Sequence, residues 1–166
     1  MYQKQDRWTP AQAWEKMKGW CAWQERCQHD VMDKLRGAGL TANEADIIIA
    51  RLIEENYLNE ERFAIQFAGG HFRLKKWGKT KIAYALRQKK ISEYCIKKAL
   101  ADIPDEDHDA VLRKLAMAKW EAVKAGTPAQ RWAKTKTYLL QKGFSSAEVG
   151  RVLPWLQRGA PTDDAE

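Results

Sequence analysis

Apolar side chains recur along this chain at intervals of three and four residues, the spacing that gathers them on one face of an α-helix. The first helix has an explicit start. Thr9 is a natural N-cap, and Pro10 stands at the first helical position, where its missing N–H costs nothing. The pattern carries this helix to about residues 24–28. Trp14, Met17 and Cys21 fall within about 60° of one another, with Trp20 and Trp23 on roughly the opposite side. Apolar groups on both sides ask for two contacts, one with the core and one with a neighbouring element or a partner surface. A second helix, over residues 29–38, carries Val31, Met32 and Leu35.

A punctuation mark follows and then recurs. Gly39 is placed to end a helix in the left-handed conformation, Leu40 is apolar, Thr41 can cap the next helix, and Glu44 completes a capping box. The third helix presents Ala45, Ile48, Ile49 and Leu52 on one face. Leu86, Lys90, Ile91, Ser92, Ile96, Ala99, Leu100 and Ile103 repeat this series at a shift of 51. Leu139, Gly143, Phe144, Ser145, Val149, Val152, Leu153 and Leu156 repeat it again, 53 residues further on. The pattern predicts an all-α fold of three tandem three-helix repeats: residues 1–57, 58–104 and 105–158, followed by a loose tail, 159–166. Each repeat alone has a marginal core, so the repeats are expected to stack into an elongated, curved body.

In the middle repeat Asn59 can cap a helix that opens with Glu60 and Glu61, and Leu58 and Phe63 are spaced as a hydrophobic staple. Phe63, Phe67, Gly70 and Leu74 share one predicted core face; Arg62, Gln66, Arg73 and Lys76 share the other. In the next helix Ile82, Ala83 and Leu86 are expected inside, with Lys81, Tyr84 and Gln88 outside. The third repeat is introduced by ADIPDEDHD, whose acids suit a helix start near Asp105, and Thr127–Pro128 repeats the opening of the first helix. Trp120, Trp132 and Trp155 lie inside apolar patterns and are read as core.

Charge changes the picture in one place. Ten cations lie between residues 73 and 98: Arg73, Lys75, Lys76, Lys79, Lys81, Arg87, Lys89, Lys90, Lys97 and Lys98. Glu93 is the one acid among them. The whole 166-residue chain is only +7, so the rest of it is slightly acidic and the basicity is local. Such a field suits an anionic partner. No helix-spaced partners within the window offset it. Lys75, Lys76, Lys79 and Lys81 gather near a helix junction and the amino end of the following helix, a natural anion site. Lysines on helices are usually no more than a solvated face; the concentration here argues for binding.

The remaining chemistry is sparse. No apolar run approaches a membrane span and MYQKQDRWTP has no apolar stretch behind its charges, so a soluble cytoplasmic protein without membrane attachment is expected. Cys21, Cys27 and Cys95 read as reduced, partly buried thiols. His29, His71 and His108 are scattered and match no metal-site spacing, and His71 reads as a half-buried structural histidine. There is no Gly-rich phosphate loop and no nucleophile elbow, so neither catalysis nor a cofactor is expected.

ENYLNEERFA, followed by the basic stretch and the pattern G-x-x-K-I-x-x-x-L-x-x-K-x-I-S from Gly78 to Ser92, resembles the signature of the RecX family of bacterial recombination regulators. Two departures stand out: Asn56 before Tyr57 and Lys90 before the third helix occupy positions where the family usually has glycine. The resemblance implies tandem three-helix repeats and a protein that binds in the groove of the RecA–DNA filament, limits filament growth, and so suppresses strand exchange, ATP hydrolysis and co-protease activity; a repeat array needs no partner to complete its core, so a monomer is expected. Weak, non-specific contact with single- or double-stranded DNA is expected beside it, and the local charge makes the ten cations above the expected contact with RecA or DNA. The competing reading is a helix-turn-helix-like DNA-binding protein, since a short turn joins the last two helices of each repeat. The third helices offer mainly Lys97 and Lys98, which suits phosphate better than base readout.

Overall fold

The computed structural model describes residues 6–159, which hold nine α-helices and no strand. They are α1 (Pro10–Trp23), α2 (Gln28–Gly37), α3 (Ala42–Glu54), α4 (Glu60–Lys75), α5 (Lys79–Gln88), α6 (Glu93–Ala101), α7 (Asp105–Ala122), α8 (Pro128–Gln141) and α9 (Ser146–Gln157). The expected all-α succession of three-helix repeats is present. α1 stops short of the expected end because Gln24 turns extended, at φ −151°. Of the expected tail, only Gly159 lies within the described residues.

Local chemistry sets the starts. Thr9, Thr41, Thr127 and Ser145 each accept the amide three residues on, from Gln12, Glu44, Gln130 and Glu148, whose side chains accept the cap residue's own N–H. Asn59 Oδ1 accepts from Arg62 N at 2.8 Å. α6 departs from the rule. Ser92 Oγ accepts from Cys95 N at 3.3 Å, but a cysteine cannot return the bond, so Glu60 of α4 accepts the Ser92 N–H at 2.7 Å. The stops follow the predicted grammar: Gly39, Lys90 and Gly143, at matching places in the three repeats, have φ of +90°, +60° and +99°. Asn56 (+65°) and Lys76 (+57°) are also left-handed.

The chain gathers into two compact units. One takes the chain up to Phe67 together with Leu86–Ala99; the other takes Ala68–Ala85 together with the chain from Leu100. The first has a core of Trp14, Met17, Val31, Leu35, Leu40, Ala45, Ile48, Leu52 and Leu58, with Tyr57 edge-on to Trp14 at 6.2 Å. The second has a core of Leu112, Ala116, Leu139, Phe144, Val149, Val152, Leu153 and Leu156. Trp120, Trp132 and Trp155 are only partly buried, packed against that cluster instead of filling it.

The expected core face of α4 needs correction. Phe63 is 6% exposed, but Leu74 is 86% exposed, and Phe67 and Gly70 are half-buried. The inward line runs instead through Phe63, Ala64, Ala68 and Phe72. Small residues at i and i+4 let neighbouring elements approach, and Phe72 continues that ladder; Leu74, two residues on, lies about 200° around the helix from it. Ile82, Ala83 and Leu86 of α5 are buried and Tyr84 is exposed, as the pattern predicts.

Phe63→Ala should therefore cost about 3–5 kcal/mol in denaturant unfolding, whereas Leu74→Ala should stay within about 0.5 kcal/mol of the unaltered protein. Equal losses would mean that α4 is rotated from the orientation described.

Candidate functional site

The basic stretch is built around the passage from α4 to α5. Lys76 takes the left-handed conformation and its N–H bonds Phe72 O at 3.1 Å, while Trp77 N–H reaches back to His71 O at 3.3 Å. This closes α4 and delivers Gly78 against the turn between α8 and α9. A Cβ on Gly78 would come within 2.4 Å of the carbonyl carbon and oxygen of Gly143, and a Cβ on Gly143 would lie 2.1 Å from that of Lys81. Only glycine allows two backbones this close.

At that distance the backbones bond directly. Gly78 N–H donates to Lys142 O at 2.8 Å, Thr80 N–H to Gly143 O at 3.0 Å, and Lys79 N–H to His108 Nε2 at 3.1 Å. The amides at the amino end of α5 already have partners, which leaves the lysine side chains, not the helix end, as the groups there that attract an anion. His108 is 2% exposed, with Phe144 centred 5.0 Å and Phe72 6.2 Å from its ring. Its Nδ1 lies 3.5 Å from Glu148 Oε1. Burial holds its pKa below the ordinary histidine value, aided by the nearby Lys79 charge and opposed by Glu148, Asp109 and Asp105. Neutral His108 can accept from Lys79 N–H; the imidazolium cannot.

The ten cations fall into two sets. Arg73, Lys75, Lys76, Lys79 and Lys81 belong to the same compact unit as α7–α9, and Arg87, Lys89, Lys90, Lys97 and Lys98 to the same unit as α1–α3. Four of them are ion-paired: Lys79 with Asp105 at 3.0 Å, Arg87 with Glu93 at 2.6 Å, Lys89 with Asp30 at 2.7 Å and Lys98 with Glu61 at 3.3 Å. The reading of an uncompensated field is corrected to that extent, because three of these carboxylates come from outside the window. For Asp30, burial is the largest influence and would raise the pKa, but the Lys89 hydrogen bond and charge, with hydrogen bonds from Cys27 and His29, together outweigh it and the carboxyl ends up lowered. Arg73, Lys75, Lys76, Lys81, Lys90 and Lys97 form no ion pair among the described residues.

Around the joint the unpaired cations surround an indole. Lys81 Nζ lies 4.6 Å and Lys75 Nζ 5.3 Å from the Trp77 ring centre, and the half-buried His71 ring lies 4.6 Å from it. Lys142 joins them from the end of α8, its Nζ donating to Lys75 O at 2.7 Å. Neither Lys142 nor His108 was legible as part of this site, since each comes from a distant segment with no motif of its own. No cluster of histidine, cysteine or acids suited to a metal occurs among the described residues. Burial pushes the Cys21 and Cys27 thiols up to about 11, so neither is an activated nucleophile.

The description of the second three-helix domain of RecX matches residues 59–100, and that of the third matches residues 105–153. The regulatory protein RecX of Chlorobium phaeobacteroides strain BS1 is 28% identical over 136 residues, covering 81% of this chain and 86% of that one. The RecX of Clostridium perfringens strain 13 is 31% identical over 121 residues, covering 72% and 56%. The crystal structure of RecX from Lactobacillus salivarius superposes with a TM-score of 0.78 at 21% identity, covering 90% of this chain and 97% of that one, a likeness of fold. Fold and sequence together define a regulatory protein of tandem three-helix repeats. The chain belongs to the RecX family.

The His108 contact sets a pH dependence. The unfolded chain takes up a proton near pH 6.5, while the folded chain resists it, so stability is complete above that value and falls as pH drops towards the lower folded pKa. Unfolding free energies measured from pH 7.5 to 5.5 should decline, and His108→Gln, which keeps an acceptor without a titrating group, should flatten the decline. An unchanged slope in the variant would remove His108 as its source.

Proposed function

We propose that this protein regulates RecA by binding along the RecA–DNA filament, restraining filament growth and thereby strand exchange, ATP hydrolysis and co-protease activity. Each compact unit contributes its own basic patch to the contact: Arg73, Lys75, Lys76, Lys79 and Lys81 with Lys142 around the α4–α5 joint in one, and Arg87, Lys89, Lys90, Lys97 and Lys98 along the end of α5 and α6 in the other. Family membership supports the choice of partner. The protein acts in the cytoplasm as a monomer, by mass action and without catalysis, through the three repeats 1–57, 58–104 and 105–158.

One observation carries the assignment of the surface. Two of the unpaired lysines, Lys76 and Lys90, sit at helix stops with φ of +57° and +60°, where glycine would avoid a cost of about 1–2 kcal/mol. Retaining a long cation at a strained, exposed turn makes poor sense for folding alone and good sense for contact with an anionic surface. The paired residues keep less of their charge free for a partner, so the unpaired ones should dominate salt-dependent binding.

Stability and function should therefore move in opposite directions. Lys76→Gly with Lys90→Gly should raise stability by about 0.5–1 kcal/mol per site while weakening inhibition of RecA's DNA-dependent ATP hydrolysis. In the unaltered protein that inhibition should appear well below one molecule per RecA and persist with excess DNA. Relief by excess DNA would point to direct competition for nucleic acid, the alternative reading.

A further inference from the structure

A second feature lies on α1. Trp23 is 81% exposed at the carboxyl end of that helix. Beside it, the Arg26 guanidinium sits 4.1 Å from the Trp20 ring centre and 5.7 Å from that of Trp23, pinned by an Nε–H bond to Trp20 O at 3.2 Å. Lys34 Nζ lies 5.1 Å from Trp20, and at the other end of α1 Lys16 Nζ lies 5.3 Å from Trp8.

The charge pattern separates this face from an ordinary solvated one. Every acid between Pro10 and Gly37 stands against another cation or a histidine: Glu15 against Lys18, Glu25 against Arg62, Asp30 against Lys89 and Asp33 against His29. Lys16, Arg26 and Lys34 have no carboxylate partner among the described residues, and each is held against an indole instead. Gly19, one turn before Trp23 on the same side of α1, has nothing within 4 Å of where a Cβ would stand. A helix-interior glycine that serves no packing contact leaves open space beside the exposed indole.

We propose that this face is a contact for single-stranded nucleic acid: a base stacks on Trp23, and Arg26 and Lys34 meet the flanking phosphates. Unpaired cations interleaved with indoles fit a strand that offers both a π-face and a negative charge at each step. A duplex offers the charge but keeps its bases stacked. This contact rests on Trp20, Trp23, Arg26 and Lys34 alone and does not depend on RecA being the partner.

The test is binding of a fluorescently labelled thymidine 20-mer to the full chain, followed by anisotropy over a range of salt, without RecA. Trp23 is exposed, so its replacement leaves the fold intact. Trp23→Ala should weaken binding at least about fivefold, in line with the loss of one stacked base. Trp23→Phe should restore most of the affinity, and Arg26→Gln should lower the salt slope by about one. A duplex of the same length should bind without dependence on Trp23. The proposal fails if the unaltered protein does not bind the oligonucleotide, if Trp23→Ala binds it as tightly as the unaltered protein, or if Trp23→Ala weakens only the binding of a RecA filament.

Discussion

The close passage of Gly78 against Gly143 governs how the basic region is held. Without side chains at these two positions, the start of α5 approaches the α8–α9 turn until its first amides bond to Lys142 O, His108 Nε2 and Gly143 O. A methyl group at either glycine would demand that one backbone retreat by an ångström or more, and the three bonds would lengthen together. Arg73, Lys75, Lys76 and Lys81 flank this joint. Their backbone positions are thus fixed by packing with α7–α9 instead of floating on a flexible connection.

Ion pairing separates the charged groups of the basic stretch into those already matched within the fold and those left unmatched. Exposed ion pairs such as Arg87–Glu93 add little stability, but they occupy charge that a sequence count would credit to the surface. The cations left over are fewer, and two of them stand on strained turns. Strain on the scale of 1–2 kcal/mol is a noticeable fraction of the stability of a small protein. That strain falls on two exposed turns, at Lys76 and Lys90, where glycine would avoid it.

What could be read from the sequence was whatever is local in the chain. The caps at Thr9, Thr41, Thr127 and Ser145 involve residues three apart, and the repeat of stop, apolar residue and start at Gly39, Lys90 and Gly143 marks the last two helices of each repeat. Asn56 and Lys90 were recognisable as left-handed positions because glycine is the usual solution there. The rest required partners from elsewhere. Glu60 caps Ser92 across 32 residues, Asp30 pairs with Lys89 across 59, and Lys142 reaches Lys75 across 67. Leu74 was misplaced for a related reason: periodicity gives the faces of α4, but which face is buried depends on the small residues Ala64 and Ala68 and on what packs against them.

Site-resolved amide hydrogen exchange at Gly78, Lys79 and Thr80 tests the central joint most directly. The amino-terminal amides of a helix normally lack partners and exchange quickly. Here all three are bonded within a packed crossing, and they should be protected to nearly the level of the buried core amides at Ile82 and Leu86. Exchange at the rate of an open helix end would contradict the joint, and with it the account of how the basic surface is held in place.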